Sequence, residues 1–383
     1  MTRRATTRAD RPPGAVPPVA ARRIRRALLR WYDENRRDLP WRRRSGDPYA
    51  QWVAEIMLQQ TRVETVLKYY EPFLRRFSSV KALAAAREDD VLKAWEGLGY
   101  YRRILNLHRA TKQLIRKRLD VPRSARELAE LPGVGEYTAA AISSIAFDEA
   151  VAAVDGNVAR VIARLLRVEI DVTSSRGRRT IQAAADQLLA QDRPGDFNQA
   201  WMDLGSSICA PRSPKCPACP LRHDCAAYRD RVQDQLPLRG GRNGKSTPVI
   251  RVTCCVVCRR QHLLMRQRPT KGLWAGLWEF PEIDGKPTSN GRMTNHPSIL
   301  LEPGCVPLRG PSRHTGLVEH QLSHRRYVFD MWLVEAPRTW KSPTGFQWIS
   351  LHDTDSLAIS TAHRKVLAAC FPHRPNARAR GAF

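Results

Sequence analysis

Cys209, Cys216, Cys219 and Cys225 are separated by six, two and five residues, so one short stretch of chain can bring four thiols to one place. A 4Fe–4S cube needs four thiolates converging across small gaps, on a chain that can turn between them. Pro211, Pro214, Pro217 and Pro220 supply those turns. Zinc would also accept four cysteines, although paired zinc knuckles use two close pairs and here only the central gap is short. Ordinary buried cysteines are the third possibility. Disulfides are disfavoured, because no secretory segment is read before them and the nine cysteines are an odd number.

Two carboxylates could do acid and base work. Glu55 opens the otherwise apolar turn Glu55-Ile56-Met57-Leu58-Gln59-Gln60-Thr61. It is either a solvated helix residue or a carboxyl held in a partly dry pocket. Asp155 stands in Val154-Asp155-Gly156-Asn157-Val158, between a small apolar run and the next helix, where an aspartate can also serve as a plain cap. Between the two lies Leu131-Pro132-Gly133-Val134-Gly135-Glu136-Tyr137. Gly133 and Gly135 make a tight turn whose backbone amides, at a helix N-terminus, can hold a phosphate without reading sequence. A simple corner between helices would look the same.

The elements that must position these residues follow from composition. The chain has 383 residues, 42% of them hydrophobic, enough for two or three domains with real cores. No apolar run approaches the ~18 residues needed to cross a bilayer, which excludes a membrane-spanning helix. The formal charge of +27 points to a polyanion, nucleic acid first, unless it reflects a generally arginine-rich background. Residues 1–20 carry almost no large apolar groups and are expected to be a disordered basic tail. Helical spacing, as in Val63, Val66, Leu67 and Tyr70, runs from Ile24 to about Asp203 and predicts an all-α domain over 21–230 that ends with the cysteine loop, 209–225. Residues 231–247 read as a linker and 372–383 as a second basic tail. In between, Val249 to Val257, Tyr327 to Val334 and Phe346 to Ile349 are short β runs, so 248–371 is expected to be an α+β domain. Cys254, Cys255 and Cys258 lie on the first run and read as packing residues rather than ligands.

Taken together, these motifs resemble the helix–hairpin–helix DNA glycosylases that include endonuclease III. Leu39-Pro40-Trp41-Arg42, Met57-Leu58-Gln59-Gln60-Thr61 and Gly97-Leu98-Gly99-Tyr100-Tyr101 narrow the resemblance to the adenine DNA glycosylase (MutY) family over about Ala27 to Cys225. A looser likeness to a MutT-like, or Nudix-fold, domain continues to about residue 370. The resemblance implies a 4Fe–4S cluster on the four cysteines. It makes Glu55 the general acid for adenine N7, and Asp155 the carboxylate that stabilises or transiently traps the sugar cation. Tyr137 would assist Asp155, and Asn157 would position water or a carboxylate. The base must be flipped out of the stack, and Gln60 and Tyr100 would fill the gap. Trp41, Arg42, Leu58 and Gln199 would line the adenine pocket. Relatives that also cut the backbone carry a lysine where this chain has Tyr137, so a monofunctional enzyme is implied, with weak lyase activity from another lysine left open.

In the second domain, Gly272-Leu273-Trp274-Ala275-Gly276-Leu277-Trp278-Glu279-Phe280-Pro281 resembles the glycine-aromatic segment of MutT-like folds. No glutamate-rich metal box follows it, so nucleotide hydrolysis is not expected. Ser323 and His324 in His320-Gln321-Leu322-Ser323-His324 would probe 8-oxoguanine, with Leu322 where the family usually has phenylalanine. The expected function is removal of adenine mispaired with 8-oxoguanine or guanine, by a monomer acting on double-stranded DNA in the cytoplasm, at the nucleoid, with no membrane association. Two alternatives stand: an endonuclease III-like glycosylase for oxidised pyrimidines, and a non-catalytic iron–sulfur DNA-binding protein.

Overall fold

The computed structural model describes residues 14–240, 247–284, 298–301, 304–308 and 311–372. The chain separates into two compact units, one of Met1–Ala85 with Arg109–Asn243, the other of Ala86–His108 with Gly244–Phe383.

The first unit is helical. Asp47 starts the Pro48–Leu58 helix by accepting the Ala50 amide on its side chain at 3.0 Å, and Pro48 occupies the first turn, where its missing N–H costs nothing. Tyr49 to Met57 are all buried, so this helix is enclosed on every side and its acid, Glu55, is enclosed with it. Ser124 caps Ala125–Leu128 and pairs with Glu127, a reciprocal cap at 3.3 and 2.7 Å. The chain then turns through Gly133, whose φ of +81° suits glycine, into the Glu136–Phe147 helix. Asp155 caps the Gly156–Leu166 helix. A larger core forms where Pro18–Asn35, Gly156–Leu166, Ser175–Leu188 and Pro194–Ser207 bring Leu28, Ile162, Leu188 and Phe197 together. Gly205 is required there: a Cβ at that position would stand 2.9 Å from Cβ of Asn157.

Two boundaries differ from expectation. The first helix begins at Pro18, inside the segment expected to be a tail, because Ala21, Ile24, Leu28 and Tyr32 fall on one buried face; residues 1–13 lie outside the described residues. The expected linker is tied down as far as Leu238. The Leu236 carbonyl accepts from Arg164 at 2.9 Å and the Leu238 carbonyl from the Val172 amide at 3.1 Å.

The second unit contains a mixed sheet. Strands β1 (Val249–Arg259), β2 (His262–Gln267) and β3 (Trp278–Glu279) are followed by β4 (Ile283–Asp284), β5 (Ser298–Leu301), β6 (Gly304–Pro307), β7 (Ser312–Gln321), β8 (Arg326–Glu335) and β9 (Phe346–Ser350). The main sheet has the order β3-β2-β1-β8-β7, with β9 on β2, while β4, β5 and β6 form a small second sheet. The central pair, β1 and β8, is parallel from Val249 opposite Arg326 to Cys258 opposite Glu335. Alternation along β1 sends Cys254 to one face, against the Thr361–Cys370 helix, and Cys255 to the other, against Ile299 and Trp332. These cysteines pack, as expected. The glycine-aromatic segment lies between β2 and β4, and residues 285–297 after it are outside the described residues.

Candidate active site

In the helical unit, Glu55 is only 4% exposed. The Gln51 amide, one helical turn earlier, donates to Oε1 of Glu55 at 2.8 Å, and the Tyr137 hydroxyl reaches Oε2 at 3.5 Å. Burial raises the Glu55 carboxyl from 4.5 to about 7, and the negative charge of Asp155 adds to the rise. The bonds from Gln51 and Tyr137 and the charge of Arg42 act the other way without cancelling it. Such a carboxyl is half-protonated near neutral pH and can give a proton to a leaving group. Tyr137 is half-buried beside Met202, its hydroxyl 3.6 Å from the Met202 sulfur, and desolvation pushes its phenol well above 10.

Asp155 is held by three bonds. Its Oδ1 accepts from the amides of Asn157 and Val158 at 2.8 and 2.7 Å, and its Oδ2 from the Asn157 side chain at 2.9 Å. The capping role and a role as a fixed negative charge are therefore compatible. Asn157 Oδ1 accepts in turn from Arg160 at 3.0 Å, and Arg160 reaches the carbonyls of Gly205 at 2.8 Å and Cys209 at 2.9 Å. A continuous hydrogen-bonded path thus joins Asp155 to the first cysteine of the loop.

Of the residues expected to line a pocket, Arg42 and Gln199 meet: Arg42 Nε donates to Gln199 Oε1 at 2.9 Å. Arg42 also pairs with buried Asp203 at 2.8 Å, as does Arg37 at 2.6 Å. Trp41 is buried edge-on against Tyr70, 5.5 Å between ring centres, which makes it a wall residue of this unit. Leu58 ends its helix half-buried. Gln60 and Tyr100 are both exposed and both adopt positive φ, +57° and +48°. Left-handed non-glycine residues are uncommon and carry a modest backbone cost, and neither of these two is the C-cap of a helix, as the left-handed Asp148 and Arg167 are. Gly135 is the N-cap of Glu136–Phe147, so the turn with Gly133 does open a helix N-terminus. In the second unit, Ser323 and His324 sit exposed between β7 and β8, with Ser323 Oγ 3.3 Å from His324 Nδ1. Leu322 is half-buried against the sheet core, so it is a packing residue.

Cys209, Cys216, Cys219 and Cys225 are all free thiols and line one cavity together with Arg164 and Arg222. Among the described residues no three His, Cys, Asp or Glu side chains form a group that could hold a single ion, and the four cysteines share the lining of one cavity. Burial raises the thiols of Cys216 and Cys225 and pushes Cys219 up to about 12, and the charge of Cys209 adds to each rise. A positively charged inorganic core would relieve that repulsion. Arg164 is buried and donates to the Cys209 sulfur at 3.3 Å, to the Ala210 carbonyl at 2.7 Å and to the Pro211 carbonyl at 3.0 Å.

Sequence reasoning missed Gln51, Arg160, Arg164, Met202 and Asp203. Gln51 could have been found from its spacing of four before Glu55, which places both on one helix face. Arg160 and Arg164 share a face of the helix that Asp155 begins, but their partners come from a distant loop.

The model of the HhH-GPD superfamily of base excision DNA repair proteins matches residues 53–187, and a NUDIX domain model matches 252–369. The adenine DNA glycosylase of Mus musculus is 34% identical over 411 residues, covering 93% of this chain and 79% of that protein. Its counterpart in Homo sapiens is 34% identical over 402 residues, covering 90% and 73%. A solved thermostable thymine-DNA glycosylase is 29% identical over 55% of this chain and 97% of its own, with a TM-score of 0.49.

Proposed function

Since the chain belongs to the adenine DNA glycosylase family, whose members hydrolyse N-glycosyl bonds in base excision repair, we propose that it removes adenine mispaired with 8-oxoguanine or guanine from duplex DNA, as a monomer and without cutting the backbone. The observation that carries the chemistry is the enclosed Glu55 carboxyl, raised to about 7 beside Tyr137. Adenine is a poor leaving group as an anion. A proton from Glu55 to N7 lets it depart neutral as the bond to the anomeric carbon lengthens. The sugar left behind carries positive charge, and Asp155, fixed by Asn157 and Val158, faces the reaction as the stabilising anion or brief covalent partner. Tyr137 cannot form the Schiff base by which an amine at this place would lead to strand cleavage.

Gln60 and Tyr100 are assigned to the gap left by the flipped base, supported by their exposure and left-handed backbone. Arg42, Gln199, Trp41 and Leu58 are assigned to the base pocket, Gly133 and Gly135 to a backbone phosphate, and Ser323 with His324 to the oxidised guanine. Cys209, Cys216, Cys219 and Cys225 fit a 4Fe–4S cluster by donor type and by the cavity they share. When bound, that cluster supplies a four-point cross-link of the loop. Arg160 and Arg164 tie the loop to the helix capped by Asp155.

The test is incubation with duplexes carrying adenine opposite 8-oxoguanine, adenine opposite guanine, and oxidised thymine opposite adenine, followed by alkali, with a parallel borohydride trap. Alkali-dependent cleavage of the two adenine duplexes and no trapped adduct is expected. Cleavage without alkali at oxidised thymine would return the reading to an endonuclease III-like enzyme.

A further inference from the structure

Gln51 is 1% exposed, yet its side chain is polar and stands one helical turn before Glu55. Its Nε2 donates to Oε1 of Glu55 at 2.8 Å, while its own Oε1 is buried with no hydrogen-bond partner in the described structure. The bond to Glu55 alone therefore decides which way the amide faces. A glutamine in a helix that is otherwise apolar on the same stretch, Trp52, Val53, Ala54, Ile56 and Met57, is costly to bury for packing alone.

We infer that Gln51 is a positioning residue for proton delivery: by occupying Oε1 of Glu55 with an N–H donor, it keeps the transferable proton on Oε2, the oxygen on the Tyr137 side. This rests on Glu55 being the acid. A neutral carboxylic acid carries one proton on either oxygen, and its carbonyl oxygen is the better acceptor, so a short bond from an amide favours the proton on the other oxygen. With Oε1 taken by the amide, the O–H bond lies on Oε2: the Tyr137 hydroxyl, 3.5 Å from Oε2, has one hydrogen, and when that hydrogen is directed to the Met202 sulfur at 3.6 Å its oxygen is left to accept from Oε2. If the amide turned over, its carbonyl would face Oε1 and draw the proton there, away from Tyr137. In the observed orientation, proton transfer breaks the Oε2–H bond of Glu55 and forms the N7–H bond of adenine. The carboxylate left behind keeps the Gln51 bond.

The other charged groups acting on Glu55 are Asp155 and Arg42, and neither contacts Oε1 in the observed bonding. The Gln51 bond favours the ionised carboxylate, so its removal should raise the Glu55 carboxyl further. Gln51→Met keeps volume and removes the donor. In single-turnover excision from an adenine·8-oxoguanine duplex, with the cluster-loaded full chain, two changes are expected. The rate on the acid plateau falls about tenfold, and the alkaline limb moves to higher pH, opposite to what a loss of acid function would give. A purely structural defect would lower the rate without moving the limb. Thermal unfolding and duplex affinity are measured alongside, and Gln51→Leu gives a second variant if the first unfolds. If Glu55→Gln abolishes excision but Gln51→Met or Gln51→Leu keeps the wild-type plateau and limb, the inference about Gln51 falls while Glu55 stands. If Glu55→Gln excises adenine normally, both fall.

Discussion

The Tyr100 hydroxyl donates to the Ser323 hydroxyl at 3.1 Å, although 223 positions separate them. Both belong to the second unit, where residues 86–108 are held by a charged cluster. Arg364 pairs with Glu96 at 2.6 Å, Lys93 pairs with the other Glu96 oxygen at 2.5 Å, and both Lys93 and Arg364 donate to the Leu357 carbonyl. Arg103 supports the turn from the other side, donating to the carbonyls of Leu98 and Gly99 and lying over the rings of Trp95 and Tyr100. The residue assigned to the gap in the stack and the residue assigned to the oxidised guanine are thus bonded to each other.

Loss of that bond should reduce discrimination rather than chemistry. Ser323→Ala and Tyr100→Phe are each expected to lower the ratio of excision rates for adenine opposite 8-oxoguanine over adenine opposite guanine by roughly tenfold, within the ~1–3 kcal/mol that a base contact contributes. The double variant should lose less than the product of the two, because one bond is removed twice. Strictly multiplicative losses would mean that the two hydroxyls act separately.

Glu55→Gln should leave duplex binding in place while excision falls by several orders of magnitude, because an unprotonated adenine leaves as an anion. The wild-type rate should decline with rising pH through about 7, where Glu55 loses its proton.

Stability should follow the same group. Its folded value, about 7, lies above the unfolded 4.5, so the folded state binds the extra proton between these values. Its contribution is complete below pH 4.5 and is lost as pH rises to about 7, a change on the order of 3 kcal/mol. Glu55→Gln should remove that decline, so the variant melts higher than wild type at pH 8. Equal melting temperatures at pH 8 would place Glu55 in a wetter setting than its burial implies.

Arg160→Ala breaks the path from Asn157 to the carbonyls of Gly205 and Cys209. Leaving those buried acceptors bare should cost about 2–4 kcal/mol. Excision should slow and the loop should loosen together, read as lower kcat and faster loss of iron to a chelator. Cys216→Ala should abolish the visible absorption of a 4Fe–4S protein; stoichiometric zinc without iron in anaerobically purified wild type would overturn the cluster assignment.

A chain ending at Gly240 keeps Glu55, Asp155 and the cysteine loop and should excise adenine opposite guanine, more slowly because residues 86–108 lose Arg364 and the Leu357 carbonyl. It should lose preference for 8-oxoguanine, since Ser323 and His324 go with the sheet. Ending at Asp230 instead should unfold the loop, because Leu236 and Leu238 accept bonds from Arg164 and Val172.

The sequence by itself determined the cysteine spacing, the helical and β halves and the family, and it named the residues proposed to carry the chemistry. Each is written in local signals: short gaps between like ligands, periodicity, caps and turn glycines. It could not tell whether Glu55 was solvated or dry, because burial depends on what packs around a helix, and Tyr49 to Met57 turn out to be enclosed on all sides. Nor could it tell that Asp155 both caps a helix and connects through Asn157 and Arg160 to Cys209, since that path closes only when the helix after Asp155 meets the loop. The sequence pattern places Tyr100 and Ser323 in two different domains; hydrogen bonding across 223 positions is decided by tertiary packing, for which a one-dimensional pattern carries no signal.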